Sequence, residues 1–181
     1  MTGFDAVVRL IDILDARAVE YMLVGSLASN LYGILRSTND ADFVLALPVA
    51  SLGPIVKELG EGFRLDPQIS FEAITGTIRR VVYSPPDNLT LETFQLSDDP
   101  FDQERFARRV RMRVKAFDRM VSVPTAEDII INKLQWSRPK DLDDALGVLA
   151  VQRDRLDWPY LEKWTTAHGT REKLEQLKSR G

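Results

Sequence analysis

The chain contains no cysteine, so neither a disulfide framework nor thiolate chemistry is open to it. It has a single histidine, His168, which excludes a metal site built from several imidazoles of one chain. A catalytic metal would therefore be held mainly by carboxylates, the donor set of hard cations such as Mg²⁺ or Mn²⁺. An excess of positive charge is also missing. The formal net charge is −3, so contact with a polyanion would have to come from a local patch. No apolar run is long enough to span a bilayer. The opening stretch, MTGFDAVVRLIDILDARAVEY, carries charge throughout and has no signal-peptide core. No membrane contact and a cytoplasmic address are expected.

What is present suits one domain with a modest extension: 181 residues, 44% hydrophobic and 28% charged, are enough to bury a substantial core. Phe4, Val7, Val8, Ile11 and Leu14 recur at helical spacing. Val19 to Val24 is short, apolar and strand-like, and stops at Gly25-Ser26, where a helix through Leu31 begins. Asp42 to Leu47 reads as a second buried strand, ended by Pro48. A helix over 50–60, a strand around Phe63 to Leu65 and a short helix from Ile69 to Ile74 follow. Strands over 78–83 and 89–94 flank Pro85-Pro86-Asp87-Asn88, the composition of a hairpin turn. A helix over 101–108 and a strand over 109–115 complete this half. Thr125 then caps a helix with Asp128 at its third position, close to a capping box. From there the periodicity is helical to the end. The expectation is a mixed α/β (α+β) domain over 1–122 and an all-helical region over 123–181 packed on it.

Two stretches carry most of the chemistry: Leu23-Val24-Gly25-Ser26 and Arg36-Ser37-Thr38-Asn39-Asp40-Ala41-Asp42-Phe43-Val44. A strand ending in Gly-Ser at a helix start offers free backbone N–H groups and a hydroxyl, a setting for phosphate oxygens. Glycine there allows close backbone approach. Asp40 and Asp42 open a strand two residues apart, so both carboxylates point to the same side. Such a pair is costly unless a cation lies between them. A divalent ion bridging nucleotide phosphates would serve, and two could clamp the attacking and leaving oxygens of an in-line displacement. Asp-x-Asp alone reads as a turn and an exposed strand end; the Gly-Ser turn one helix upstream reverses that in favour of the chemical reading.

With that order of parts the sequence resembles the DNA polymerase beta-like nucleotidyltransferase superfamily. Its pattern is Gly-(Gly/Ser), a helix, then Asp-x-(Asp/Glu) opening a strand. The resemblance implies a mixed sheet flanked by helices, an NTP substrate and a third carboxylate on a later neighbouring strand. Glu92, in Leu89-Thr90-Leu91-Glu92-Thr93-Phe94, matches that place, where the family usually has Asp. A surface strand glutamate would look the same in sequence. The implied metal ligands are Asp40, Asp42 and Glu92.

A second set lies in the helical half: Lys133, Arg138, Asp141 and Asp144. Together with Arg36 and Thr38, and with Asp99-Pro100-Phe101-Asp102 leading to Arg105 to Arg109, it resembles AbiEii-like toxin nucleotidyltransferases. That resemblance implies that Lys133 and Arg36 bind the triphosphate and that Asp144 takes part in catalysis. Acceptors would be RNA, such as tRNA, or a protein, and an antitoxin would be a partner. By residue chemistry alone these are surface pairs and a helix-dipole contact. The open alternatives are a small aminoglycoside-like acceptor and a non-catalytic nucleotide-binding relative. Arg109, Arg111, Arg113 and Lys115 alternate with apolar residues and would line one strand face. That row suits phosphates, and also an ordinary solvated strand, the reading favoured here. Trp136, Trp158 and Trp164 read as packing residues.

Overall fold

A computed structural model describes residues 4–84 and 89–180. The apolar spacing at the start folds as α1 (Asp5–Ala16), which buries Val7, Leu10, Ile11 and Leu14. β1 (Tyr21–Val24) is buried along its whole length and passes directly into α2 (Gly25–Tyr32). β2 (Asp40–Leu45) follows, then a short 3-10 turn (Val49–Ser51) and α3 (Leu52–Leu59). Next come β3 (Arg64–Leu65), β4 (Ser70–Glu72), β5 (Thr77–Ser84) and β6 (Leu89–Gln95). The turn expected at Pro85 to Asn88 lies outside the described residues.

The short helix expected from Ile69 to Ile74 is instead the edge strand β4. Ile69 is 57% and Phe71 71% exposed, so burial does not impose a helical spacing there. Glu72 accepts hydrogen bonds from the Ile74 and Thr75 amides and closes the turn into β5.

The main sheet runs β1-β2-β6-β5-β3, with β4 also on the outer edge of β5. Only β2 and β6 pair in parallel; the other ladders are antiparallel. Alternation along the strands sends Ala41, Phe43, Leu45 and Leu91 to one face, against α1 and α3. Met22, Val24, Val44 and Phe94 go to the other, against Phe106.

Phe106 belongs to α4 (Pro100–Ala107). Asp99 caps it, accepting from the Phe101 and Asp102 amides. β7 (Val110–Val114) and β8 (Arg119–Val123) form a separate antiparallel ribbon; β8 was not expected from sequence. Four helices follow: α5 (Ala126–Trp136), α6 (Pro139–Gln152), α7 (Trp158–Ala167) and α8 (Arg171–Arg180). Thr125 caps α5, accepting from the Asp128 amide at 3.3 Å.

The helical core takes Ala28 from α2 and Phe101 from α4 as well as its own residues. α2 is thus shared, with Leu27 in the sheet core and Ala28 in the helical one. Gly33 lets the chain leaving α2 pass close to α6, since a Cβ there would stand 2.8 Å from the Val148 amide nitrogen. Tyr32 donates to the Pro124 carbonyl and Gln152 donates to the Tyr32 carbonyl. Among the described residues, no helix is long and apolar enough to cross a membrane.

Candidate active site

The parallel ladder sets the site. Asp40 lies beside Thr90 and Asp42 beside Glu92, so period-2 alternation puts Asp40, Asp42 and Glu92 on one face of adjacent strands. On the other side of β2, Asp42 pairs with Val24, the last residue of β1. The chain then turns at Gly25 with φ +65°. A Cβ at Gly25 would fall 1.9 Å from Asp42 Oδ2. Backbone conformation and contact with the carboxylate both demand glycine. α2 starts here without a side-chain cap, which leaves its first N–H groups open toward a ligand. Gly25, Ser26, Thr38, Asp40, Asp42, Glu92 and Lys133 all line one cleft between the sheet and the helical half.

The carboxylates repel. Burial, followed by the charges of Glu92 and Asp40, pushes Asp42 up to about 7, although Lys133 and Lys140 pull it down. Burial also raises Glu92, against the opposing charge of Arg79. Arg79 Nη1 stands 3.5 Å from Glu92 Oε2. Among the described residues, no set of three or more His, Asp and Glu side chains is gathered to hold a metal ion. The three expected metal ligands share a cleft without forming a closed cage.

The second set of residues is an ion-pair network. Lys133 Nζ lies 3.0 Å from Asp141 Oδ1 and 2.7 Å from Asp144 Oδ2. The Lys133 side chain is 7% exposed, with Asp141 at 0% and Asp144 at 4%. Arg138 holds Asp141 through Nε at 2.6 Å and Nη2 at 3.3 Å. Arg36 holds Asp144 through Nε at 2.6 Å and Nη2 at 3.1 Å, and Nη2 also donates to the Ser26 hydroxyl. Burial alone would raise both aspartates. Hydrogen bonds from Arg138 and Lys133 on Asp141, and from Arg36 and Lys133 on Asp144, outweigh it and hold both below the usual carboxylate range. Lys133 therefore lines the cleft with its ammonium already engaged. Arg36 and Asp144 contact the cleft residues Ser26 and Lys133 but do not line the cleft themselves.

The three arginines of the row at β7 are each ion-paired, whereas Lys115, exposed just past the strand, has no ion pair among the described residues. Arg109 pairs with Glu20 at 2.5 Å, Arg111 with Asp15 at 3.1 Å, and Arg113 with Asp118; Arg119 on β8 pairs with Asp12 at 2.8 Å. Trp164 packs on Phe101 in the helical core, whereas Trp136 lines the cleft beneath the Arg138 guanidinium. Two further charged residues line the cleft that the sequence did not single out, Arg79 and Lys140; the buried pair Asp102 and Arg105, from the Asp99 to Arg109 stretch, lines it as well. For Arg79 only its place two residues before Val81, the partner of Glu92, was a signal.

Comparison with curated proteins finds no match. Among solved structures the chain is similar to the antibiotic-resistance factor ANT(2'')-Ia in solution, with TM-score 0.59, 16% identity and 100% of each chain covered. It is similar to the crystal structure of ANT(2'')-Ia in complex with adenylyl-2''-tobramycin, with TM-score 0.62, 16% identity, and 95% of this chain and 99% of that chain covered. An antigenic nucleotidyltransferase-like protein from Paracoccidioides brasiliensis gives TM-score 0.58 at 16% identity, over 95% of this chain and 90% of that one. At such identities the likeness speaks for the fold alone. A family model described as a nucleotidyltransferase of unknown function (DUF6036) matches residues 4–180. The chain therefore belongs to that family and has the nucleotidyltransferase fold.

Proposed function

We propose that the protein transfers a nucleotidyl group from an NTP to an acceptor hydroxyl. The observation that carries this reading is the junction of Gly25 with Asp42: two carboxylates, Asp40 and Asp42, on one face, one of them pressed against the uncapped start of a helix. The donor set suits Mg²⁺, with Mn²⁺ as the other hard cation. Mg²⁺ is commonly held by one or two carboxylates plus substrate phosphates rather than by an all-protein cage. That agrees with a pair of crowded carboxylates and no closed cluster of three among the described residues. Asp40 and Asp42 would hold the ion, with Glu92 next to them on β6. Bound there, it would offset the negative charge of phosphates and carboxylates alike.

The chain's own residues supply the rest. Open N–H groups at the start of α2 receive phosphate oxygens. Ser26 accepts from Arg36, which leaves its own hydroxyl proton for the substrate. Glu92, raised by burial, takes the proton from the acceptor hydroxyl. The acceptor oxygen then bonds to the α-phosphorus, the bond to the bridging oxygen breaks, and pyrophosphate leaves. Asp144 acts as a positioning residue through Arg36 and Lys133.

Among acceptors, the ion pairs that already engage Arg109, Arg111 and Arg113 weigh against nucleic acid. A small hydroxyl compound is favoured, in the sense that ANT(2'')-Ia binds adenylyl-2''-tobramycin. The toxin-like reading, with tRNA or a protein as acceptor and an antitoxin as partner, rests on Lys133, Arg138, Asp141 and Asp144. Their mutual ion pairing accounts for that pattern without it. The test is incubation with each labelled NTP and Mg²⁺ alongside total RNA, protein extract or a panel of aminoglycosides and other polyols. Label should move to a small acceptor with wild type and not with Asp42→Asn. NTP binding without transfer to anything would leave a nucleotide-binding module instead.

A further inference from the structure

Resting on the nucleotidyl-transfer reading, we infer that the acceptor is a small hydroxyl compound carrying a carboxylate or phosphate, and that Arg79 receives this anionic group beside the reacting hydroxyl. Sheet order sets the two ends of the cleft. The open start of α2 follows β1, and the strands then run β2, β6 and β5 away from it. One row across the shared face reads Val24, Asp42, Glu92 and Val81. With phosphates at the α2 end and Glu92 as the proton acceptor, the acceptor compound enters over β6 and β5. From β5 and the turn before it, Thr75, Thr77 and Arg79 line the cleft. Arg79 alone of these is charged, and its place two residues before Val81 turns it to the same face.

The cleft's carboxylates leave no place for a cationic acceptor. Among the described residues five line it: Asp40, Asp42, Glu92, Asp102 and Asp141. Asp102 is buried against Arg105 at 2.8 Å. Asp141 is held by Lys133 at 3.0 Å and by Arg138 at 2.6 Å. Asp40 and Asp42 are the pair assigned to the metal. Only Glu92 remains, and the charges of Arg79, Lys140 and Arg138 already reach it. The ammonium groups of an aminoglycoside would meet those cations and find no unpaired carboxylate, a repulsion that selects against polyamines. For an anion the balance reverses. Arg79 Nη1 stands 3.5 Å from Glu92 Oε2, too far for a strong hydrogen bond. The Arg79 side chain is 38% exposed, so its guanidinium keeps donors within reach of a ligand. A planar fork of this kind suits the oxygens of a carboxylate or phosphate. Bound there, the anionic group holds the hydroxyl next to Glu92, takes no part in the bond changes and stays on the product.

The test uses a cell extract freed of macromolecules by filtration and split by ion exchange into cationic, neutral and anionic pools. Each pool is incubated with the protein, Mg²⁺ and labelled NTP, beside a panel of aminoglycosides and total RNA. Label should move to the anionic pool, and phosphatase treatment of that pool beforehand tells a phosphate from a carboxylate. With the acceptor purified from it, Arg79→Gln should raise the acceptor KM by ~10-fold or more, the size of a lost charge-assisted contact, and lower kcat far less. Arg79→Lys should restore part of the loss, and Arg111→Gln, the same charge change at a surface pair, should change nothing. Calorimetric titration of Mg²⁺ with NTP should give Arg79→Gln the affinity of wild type, which also shows the variant to be folded. Transfer to the cationic or neutral pool, to aminoglycosides or to RNA in preference to the anionic pool overturns this inference and leaves the proposed function standing. So does a fall in kcat at unchanged acceptor KM, which would make Arg79 a partner of Glu92 alone, or a loss of NTP affinity, which would place Arg79 at the nucleotide. If wild type transfers label to nothing, the proposed function falls and this inference with it.

Discussion

Replacing Lys133 by Met keeps most of the side-chain volume and deletes the ammonium that joins Asp141 to Asp144. All three side chains are at most 7% exposed. Removing one partner from a buried ion pair costs about 3–5 kcal/mol, because the remaining charge is stranded. Here each aspartate keeps an arginine, Arg138 on Asp141 and Arg36 on Asp144. The lower end, about 3 kcal/mol, is therefore expected. For a chain of this size that corresponds to a fall in Tm of about 6–12 °C. The deficit has a pH signature. Both aspartates have folded pKa values below their unfolded ones. Their stabilisation is thus complete above the unfolded value, about 4, and is lost as pH falls through the folded values. The Lys133→Met deficit should be full at neutral pH and shrink below about pH 4. Thermal unfolding of both proteins between pH 3 and 8 measures this. A Tm within about 2 °C of wild type at pH 7, or a deficit unchanged near pH 3, would refute the bracing role of Lys133.

Asp42→Asn tests the crowded carboxylates. The folded pKa of Asp42, about 7, lies above its unfolded value, so wild type loses stability as pH rises from about 4 to about 7 while the amide does not. Without metal the two proteins should match near pH 4 and the variant should be the more stable near pH 8; the reverse order would make Asp42 a structural residue. With Mg²⁺ and NTP only wild type should gain in Tm, by mass action. Gly25→Ala forces a Cβ into the left-handed region, at about 1–2 kcal/mol, and against Asp42 Oδ2; NTP titration should show binding abolished, and intact binding would place the ligand elsewhere. Gly33→Ala, whose Cβ meets the Val148 backbone, should cost about 1–3 kcal/mol in denaturant unfolding by prising α2 from α6.

The sequence made legible whatever depends on neighbours along the chain. The apolar runs at β1, β2 and β6 mark their own strands, and two-residue spacing puts Asp40 and Asp42 on one side before any fold is known. Gly25-Ser26 marks the turn for the same local reason. β4 was misread because its apolar residues are exposed, so their spacing carries no imprint of a core. β8 went unread because Asp118-Arg119, at its mouth, resembles a loop. The site's charges raise a different difficulty. Residue types announce cations and anions, but not which cation is already engaged. Arg36 finds Asp144 across 108 positions, and Arg111 finds Asp15 across 96. Nothing local encodes either pairing. The lysine and arginine that the motifs favour, Lys133 and Arg36, are the ones that tertiary structure neutralises. Arg79 and Lys140, which belong to no motif, are left facing the cleft. A run of arginines suits a phosphate track as well as a solvated strand until the fold sets Glu20 beside Arg109 and Asp15 beside Arg111. The chemistry open to a charged side chain is fixed by its partners, and these partners are long-range.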